Sequence, residues 1–339
     1  MVDHEPLRFG LTLGNRDLVH DTVSVADLLA MAERAEASEH IDGVWVGDSL
    51  LAQPRLESIA LLAALSARTR RVTLGTACMG SFPLRDPVLL ADQWASLDHL
   101  AGGRTVLIAC TGGRSGAADV EARNLGVPHD QRRSRMLEGI EVIRRLWRED
   151  EVTFEGRHHH LDGVTVRPKP RQPHCPIWVA SNPAGSSEDA LRRSLAGIAR
   201  VADGWMTHTV APEEFTHRWT IFTEAALQHR GDHPDGDERP EPGNVLYHNI
   251  HVHPDREVAI ANAKAYLDRY YGVDTPREKV LRSSAVGDVR ACADNLAAFR
   301  GSGVQQITLR LCGDDPVEQL AVVLDEVLPL VAGGDGPAG

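Results

Sequence analysis

Small and polar side chains follow two apolar runs, and they are the first residues that could take part in chemistry. The run Val72–Ala77 leads into Cys78, and the run Thr105–Ala109 leads into Cys110 and Thr111. Both runs are short and rich in apolar and β-branched residues, which is typical of strands buried on both faces. Ligands of parallel α/β folds bind beyond the carboxyl ends of the strands. These residues therefore predict one edge of a small-molecule site.

Two other strand ends carry side chains that could move a proton. Asp48 and Ser49 follow the run Gly43–Gly47, and His208 follows Gly204–Thr207. Imidazole titrates close to neutral pH, so His208 is a candidate catalytic group. Asp48 is a second candidate, although a carboxylate after a strand also serves as a helix cap.

A polar loop follows a further apolar run, Ile177–Ala180. Ser181, Asn182, Gly185 and Ser186 form this loop just before a helix. Free backbone N–H groups at the start of a helix suit a phosphate, so the loop is a candidate anion site. The alternative is that Ser186 and the next residue, Ser187, only cap the helix.

The elements that must position these residues alternate regularly along the chain. Asp86 can cap a helix that begins at Pro87 and ends at Gly102, which makes the opening stretch a β-α-β unit. Strand candidates recur eight times, with helices between them: Leu7–Leu13, Gly43–Gly47, Val72–Ala77, Thr105–Ala109, Ile177–Ala180, Gly204–Thr207, Val245–Val252 and Ile307–Leu311. This alternation predicts an α/β fold, a (β/α)8 TIM-like barrel. A doubly wound sheet is the alternative, but no G-x-G-x-x-G follows the first strand.

We expect one domain over residues 1–332. Residues 151–175 interrupt the alternation and predict a small insertion, with a hairpin turning at Gly156. Residues 232–243 are polar and rich in proline and glycine, which favours a surface loop, and residues 333–339 are expected to be a disordered tail.

Composition excludes several classes of partner. The net charge of −12 and the lack of a basic run argue against nucleic acid, and no apolar run is long enough to span a membrane. The five cysteines are scattered and form no C-x-x-C, so we expect reduced thiols in a cytoplasmic protein, without a disulfide scaffold or metal site.

The chain resembles the bacterial luciferase-like flavin oxidoreductase superfamily. Five segments carry the resemblance in the family's order: AERAEASEHIDGVWVGDS, RVTLGTACMGSFPLRDPVLLADQWASLDHLAGGRTVLIACTGG, RRSRMLEGIEVIRRLWREDEVTFEGRHHHLDGVTVRPKPRQPHCPIWVASN, RVADGWMT and GDVRACADNLAAFRGSGVQQITLRL. The resemblance implies a TIM-like barrel with an insertion, usually a homodimer, that binds FMN or the deazaflavin F420 at the carboxyl ends of the strands. It also implies either oxygenation with reduced FMN from a separate flavin reductase or hydride transfer with F420.

The resemblance assigns cofactor contacts to matching positions. It places Ala77 and Cys78 at a non-prolyl cis peptide against the flavin ring, and Thr111 at the ring or phosphate. Arg135 matches an arginine that pairs with the phosphate, for which a guanidinium is well suited. The loop with Ser181, Asn182, Gly185 and Ser186 completes the predicted cofactor set.

The resemblance also shows a departure at Ser49, where luciferases and several F420 enzymes have a histidine. Asp48 or His208 takes over that role, or the reaction needs no base there. Ser49, Cys110 and His251 are predicted to contact the substrate; Cys110 matches a reactive thiol of luciferase.

The favoured function is a monooxygenase that uses reduced FMN and O2 on a small organic substrate. An F420-dependent reductase or dehydrogenase is the first alternative. A non-catalytic flavin-binding subunit is the second, because the usual histidine is missing.

Overall fold

Eight parallel strands of one sheet close into a barrel in the computed structural model, which describes residues 7–113, 117–183, 185, 187–229 and 240–333. The strands are β1 (Arg8–Leu13), β2 (Ile41–Asp48), β3 (Thr73–Met79), β4 (Thr105–Ala109), β5 (Val152–Glu155), β6 (His160–Val164), β7 (Ile177–Ala180), β8 (Gly204–His208), β9 (Gly243–Val252), β10 (Ser284–Gly287) and β11 (Gln306–Leu311). The order around the barrel is β1-β2-β3-β4-β7-β8-β9-β11, and β11 pairs again with β1. The predicted (β/α)8 fold is confirmed.

The helices cover the outside of this barrel. They are α1 (Val25–Ala37), α2 (Ser58–Arg68), α3 (Pro87–Leu100), α4 (Ala118–Leu125), α5 (His129–Arg148), α6 (Glu188–Ala199), α7 (Pro212–Gln228), α8 (Arg256–Tyr271), α9 (Arg277–Ser283), α10 (Val289–Ala297), α11 (Pro316–Val322) and α12 (Leu328–Ala332). The predicted start of α3 is confirmed, because the Asp86 side chain accepts hydrogen bonds from the backbone N–H groups of Val88 and Leu89. Across the described segments, no helix has the length and apolar character needed to cross a membrane.

Two tryptophans fill the barrel interior near the amino ends of the strands. The ring centroids of Trp45 and Trp178 lie 6.4 Å apart. Glycines on other strands make room for them: a Cβ on Gly75 would lie 2.6 Å from Trp45 Cζ3, and one on Gly243 would lie 2.2 Å from Trp178 Cζ2. These two rings fill this end of the barrel, and the main cavity lies at the carboxyl ends of the strands.

The structure adds detail that the sequence patterns did not predict. The four-residue strand β10 pairs with the far end of β9, and α4 lies between β4 and α5. The predicted hairpin is present as β5 and β6, and its turn begins where the Gly156 N–H donates to the His159 carbonyl. Residues 232–239 of the predicted surface loop and 334–339 of the predicted tail lie outside the described residues. The single-domain assignment stays a prediction.

Candidate active site

A cavity of about 550 Å³ opens at the carboxyl ends of the barrel strands. Nine of the residues predicted for the site line it: Asp48, Ser49, Ala77, Cys78, Cys110, Thr111, Ser181, Asn182 and His208. The parallel topology explains this convergence, because all eight strands end on the same side. A smaller cavity of about 280 Å³ lies beside Cys175, just before β7, and contains none of the predicted residues.

The floor of the cavity is formed where β3 and β4 end. The peptide bond between Ala77 and Cys78 is cis, which confirms that prediction. Cys78 and Cys110 are joined by a disulfide, with Cα atoms 6.0 Å apart, so the expectation of reduced thiols is wrong for this pair. The two residues lie far apart in the chain and become neighbours only through strand pairing, which cysteine spacing alone does not reveal. The other three cysteines are free and buried.

Asp48 is buried and already bonded on both carboxylate oxygens. Oδ1 accepts from the backbone N–H of Ser81 at 2.8 Å, while Oδ2 accepts from Ser58 Oγ at 2.8 Å and from Arg85 Nη2 at 3.2 Å. These bonds tie the end of β2 to α2 and to the segment after β3. The geometry therefore favours a structural role over the predicted catalytic one, which remains without direct test.

His208 lines the cavity at the end of β8, where its side chain is accessible from the cavity and surrounded by the cavity walls. Its Nδ1 lies 2.8 Å from Thr209 Oγ1. Desolvation by the surrounding walls, followed by the positive charges of Lys279 and Arg310, lowers the pKa of the imidazole to about 4. The ring is therefore neutral near pH 7 and can accept a proton.

A buried arginine, Arg310 of β11, belongs to the cavity wall on the same side of the barrel as His208, with β9 between β11 and β8, and it was not predicted from the sequence. Its Nε donates to Asn249 Oδ1 at 3.0 Å and its Nη2 to the Tyr271 hydroxyl at 3.3 Å, but its Nη1 has no partner among the described residues. The side chain is 1% exposed and its Cζ lies 4.1 Å from the centroid of the Tyr270 ring. The single charged residue in the strand sequence QITLRL was the signal that could have identified it.

Lys279 of α9 adds a second cation to this wall. It lines the cavity, and its Nζ lies 5.9 Å from the centroid of the Tyr271 ring. In the described part of the chain neither Lys279 nor Arg310 forms an ion pair with a carboxylate. Asp17 is close enough to Arg310 for an electrostatic interaction, but its carboxylate accepts a hydrogen bond from the Tyr266 hydroxyl at 2.9 Å. This wall therefore carries positive charge that a ligand can neutralise.

Tyr270 stands between this wall and the end of β2. Its hydroxyl accepts a hydrogen bond from Arg55 Nη1 at 2.8 Å and lies 3.4 Å from where a Cβ on Gly47 would be. Burial raises the pKa of Tyr270, but the charges of Arg55 and Arg310 outweigh that effect and lower it overall. Tyr270 was not predicted, because it belongs to a helix with a regular apolar face.

Three predicted residues are not brought to the cavity wall, and a fourth is not among the described residues. Arg135 donates from Nε to the Pro83 carbonyl at 3.2 Å, and Arg133 lines the cavity instead, because residues two apart on a helix point in different directions. His251 is buried away from the cavity, with its ring nitrogens at Cys312 O and Asn262 Nδ2. The other two belong to the predicted loop: Gly185 lies in an exposed turn and does not line the cavity, while Ser186 lies outside the described residues.

Comparison with known proteins identifies the class of fold and site. Residues 7–306 match the family described as luciferase-like monooxygenase. The chain therefore belongs to the luciferase-like monooxygenase family. The predicted resemblance and the prediction that the chain is an enzyme are confirmed at that level.

The similar proteins include enzymes named for different cofactors and reactions. An F420-dependent glucose-6-phosphate dehydrogenase of Kineococcus radiotolerans is 32% identical over 174 residues, so the match spans about half of each chain, 50% of this one and 49% of the relative. A protein of the same name from Nakamurella multipartita is 26% identical over 352 aligned positions, covering 96% of both chains. The crystal structure of monooxygenase RslO1 from Streptomyces bottropensis is similar with a TM-score of 0.76 at 24% identity, covering 95% of this chain and 99% of that one. This last likeness shows the fold alone.

Proposed function

We propose that this protein is an F420-dependent oxidoreductase that transfers a hydride between F420 and an alcohol or carbonyl substrate bearing an anionic group. The observation that carries the proposal is the buried Arg310, whose Nη1 has no partner in the described part of the chain. A buried polar group without a partner is costly, so a ligand anion is its natural partner. The relative from Nakamurella multipartita, named for F420 and a phosphorylated sugar, supports this choice. On these two grounds we prefer the F420 alternative to the FMN monooxygenase that the sequence favoured.

The residues of the cavity fit a flavin-type cofactor. Ala77, Cys78, Thr111 and Ser181 all line the cavity. Ala77 and Cys78 would supply the floor for a flat ring, with Thr111 and Ser181 beside it. Arg133 lines the cavity and pairs with no carboxylate among the described residues; its Nη2 only donates to the Ser194 carbonyl at 3.3 Å. Arg133 is therefore the guanidinium that would hold the cofactor phosphate, the role predicted for Arg135. When bound, F420 supplies or accepts the hydride.

The remaining steps belong to side chains of this protein. Arg310 and Lys279 bind the anionic group and so fix the orientation of the substrate. His208, neutral near pH 7, accepts the proton of the alcohol during oxidation and returns it during reduction. Desolvation lowers the pKa of His208 most, and the charges of Lys279 and Arg310 lower it further; a bound anion would offset the contribution of these two charges.

The first test is a binding titration of the apo-protein with F420, oxidised FMN and reduced FMN, followed by absorbance and fluorescence. The proposal expects tight binding of F420. Tight binding of reduced FMN with none of F420 would refute it.

The second test concerns the substrate. Pairs of alcohols with and without a phosphate or carboxylate should differ in KM with the wild-type protein. Arg310→Gln should raise KM for the anionic member about 10- to 100-fold, since a charged hydrogen bond contributes ~1.5–3 kcal/mol. Arg269→Gln is the matched control: Arg269 pairs with Asp314 and does not line the cavity. Equal KM values for both members in all three proteins would contradict an anionic substrate.

The FMN-dependent monooxygenase is the second candidate. It is supported by the end of β2, where Ser49 replaces histidine and Asp48 is bonded to three donors. A reduced-flavin monooxygenase needs no base at that position. Substrate-dependent O2 uptake with reduced FMN would favour it.

The non-catalytic subunit is not proposed, because the family assignment identifies an enzyme. A homodimer, a cytoplasmic location and, for the FMN case, a separate reductase stay predictions.

A further inference from the structure

Cys78 and Cys110 occupy an unusual place for a cysteine pair, the floor of the cavity. Met79 of β3 pairs with Ala109 of β4, and the Cys110 N–H donates to the Met79 carbonyl at 3.1 Å. Met79 and Ala109 are fully buried against the helices, so the residues next to them, Cys78 and Cys110, turn to the barrel interior. Both cysteines are only partly buried and line the cavity.

The other cysteines differ in accessibility and chemistry. Cys175, Cys292 and Cys312 are 5%, 0% and 0% exposed. Burial raises the pKa of Cys292 and of Cys312 to about 12, and burial followed by the charge of Asp98 raises that of Cys175. Thiol reactivity requires the thiolate and access to a reagent. Only the pair in the cavity floor is therefore placed to react with a dissolved thiol or disulfide.

We propose that Cys78 and Cys110 form a reversible thiol–disulfide site that exchanges with low-molecular-weight thiols through the mouth of the cavity. In the reducing direction two small thiols, R–SH, react with the disulfide. The bond between the two cysteine sulfurs breaks and one R–S–S–R bond forms. Two electrons pass to the protein, and the two thiol protons end on Cys78 and Cys110. A small disulfide drives the same exchange in the opposite direction.

The state of this pair also affects the bound cofactor, a consequence that rests on the proposed function. The disulfide links the ends of β3 and β4, the two segments on which the ring of the cofactor is expected to lie. A crosslinked floor loses less conformational freedom on binding than one with two free thiols. The oxidised protein should therefore bind F420 more tightly than the reduced protein.

The site is tested by counting thiols in the full-length protein, which needs no cofactor. After treatment with oxidised glutathione, alkylation under denaturing conditions and mass spectrometry should find three modified cysteines, and after dithiothreitol all five. Alkylation under native conditions after dithiothreitol should modify Cys78 and Cys110 alone. The control Cys292→Ala should keep the difference of two thiols, whereas Cys110→Ser should abolish the internal crosslink. Five free thiols after oxidised glutathione would overturn the proposal.

The coupling is tested by titrating F420 into the oxidised and the reduced protein. We expect the dissociation constant to rise at least ~3-fold on reduction, and to be the same under both conditions in Cys110→Ser. An equal dissociation constant in both wild-type forms would overturn the coupling. If neither form bound F420, the proposed function and the coupling would both fail, while the thiol count would still decide the exchange site by itself.

Discussion

Replacing Asp48 tests whether its carboxylate has a structural or a catalytic role. In Asp48→Asn, one oxygen can still accept from the Ser81 N–H, and the Ser58 hydroxyl can turn to accept from the new amide. The lost interaction is the charged hydrogen bond with Arg85, and such a bond contributes ~1.5–3 kcal/mol. We expect a contribution in the lower part of this range, because Arg85 is partly exposed and also pairs with Glu57 at 2.8 Å. We therefore expect the free energy of unfolding to fall by about 2 kcal/mol.

The assay is denaturant unfolding at pH 7 with the variants Asp48→Asn, Asp48→Ala and Glu57→Gln. Asp48→Ala removes all three bonds and leaves Arg85 and the Ser81 N–H without this acceptor, so it should cost ~3–5 kcal/mol. Glu57→Gln removes only the partly exposed contact and should cost under ~1 kcal/mol. Steady-state turnover is measured beside stability. Unchanged stability in Asp48→Asn, together with a loss of kcat of ~100-fold or more, would refute the structural role and restore the catalytic one.

Three further predictions concern stability. Burial lowers the pKa of His248 to about 4, so below about pH 6.5 the unfolded state binds more protons than the folded state. The free energy of unfolding should therefore fall by up to ~3 kcal/mol as the pH drops from about 6.5 to about 4. In unfolding curves measured across this range, His248→Gln should show a weaker dependence on pH. Gly75→Ala places a Cβ 2.4 Å from the Val106 carbonyl oxygen and should lower stability by about 3 kcal/mol, whereas the control Gly113→Ala meets nothing within 4 Å and should leave the melting temperature unchanged. Reducing the disulfide, which spans a sequence separation of 32 residues, should cost ~3–4 kcal/mol in thermal melts of the wild type and nothing further in Cys110→Ser.

Much of the fold could be predicted from the sequence, because individual strands show a recognisable pattern of apolar residues. Thr105–Ala109 and Ile177–Ala180 are strands with the predicted bounds, because each is a short apolar run flanked by residues that break the pattern. The strand β10 could not be predicted in this way. Its four residues are too few to show a period, and it pairs with β9 only because β9 extends beyond its pairing with β8, which ends at Tyr247.

For the candidate site, too, some residues could be predicted from the sequence and others required the tertiary structure. Residues at strand ends were predictable, because parallel strands bring their carboxyl ends together whatever the tertiary details. The choice of Arg135 over Arg133 required the phase of α5 relative to the barrel, which a resemblance in sequence does not fix. Arg310 required knowing that one position of β11 points into the cavity, and the pairing of Cys78 with Cys110 required the register of β3 and β4.

At Ser49 the sequence lacks the histidine of related proteins, but a side chain from another element lies close to this position. The Ser49 hydroxyl accepts from the Gln53 N–H at 3.0 Å, so it stabilises a turn. Tyr270, from α8, brings a phenol to the same strand end, beside Gly47. Since the Tyr270 oxygen accepts from Arg55, its own proton remains available to a ligand in the cavity. Tyr270 therefore places a phenol proton near the end of β2, where the sequence motif itself has no acid–base side chain after Asp48.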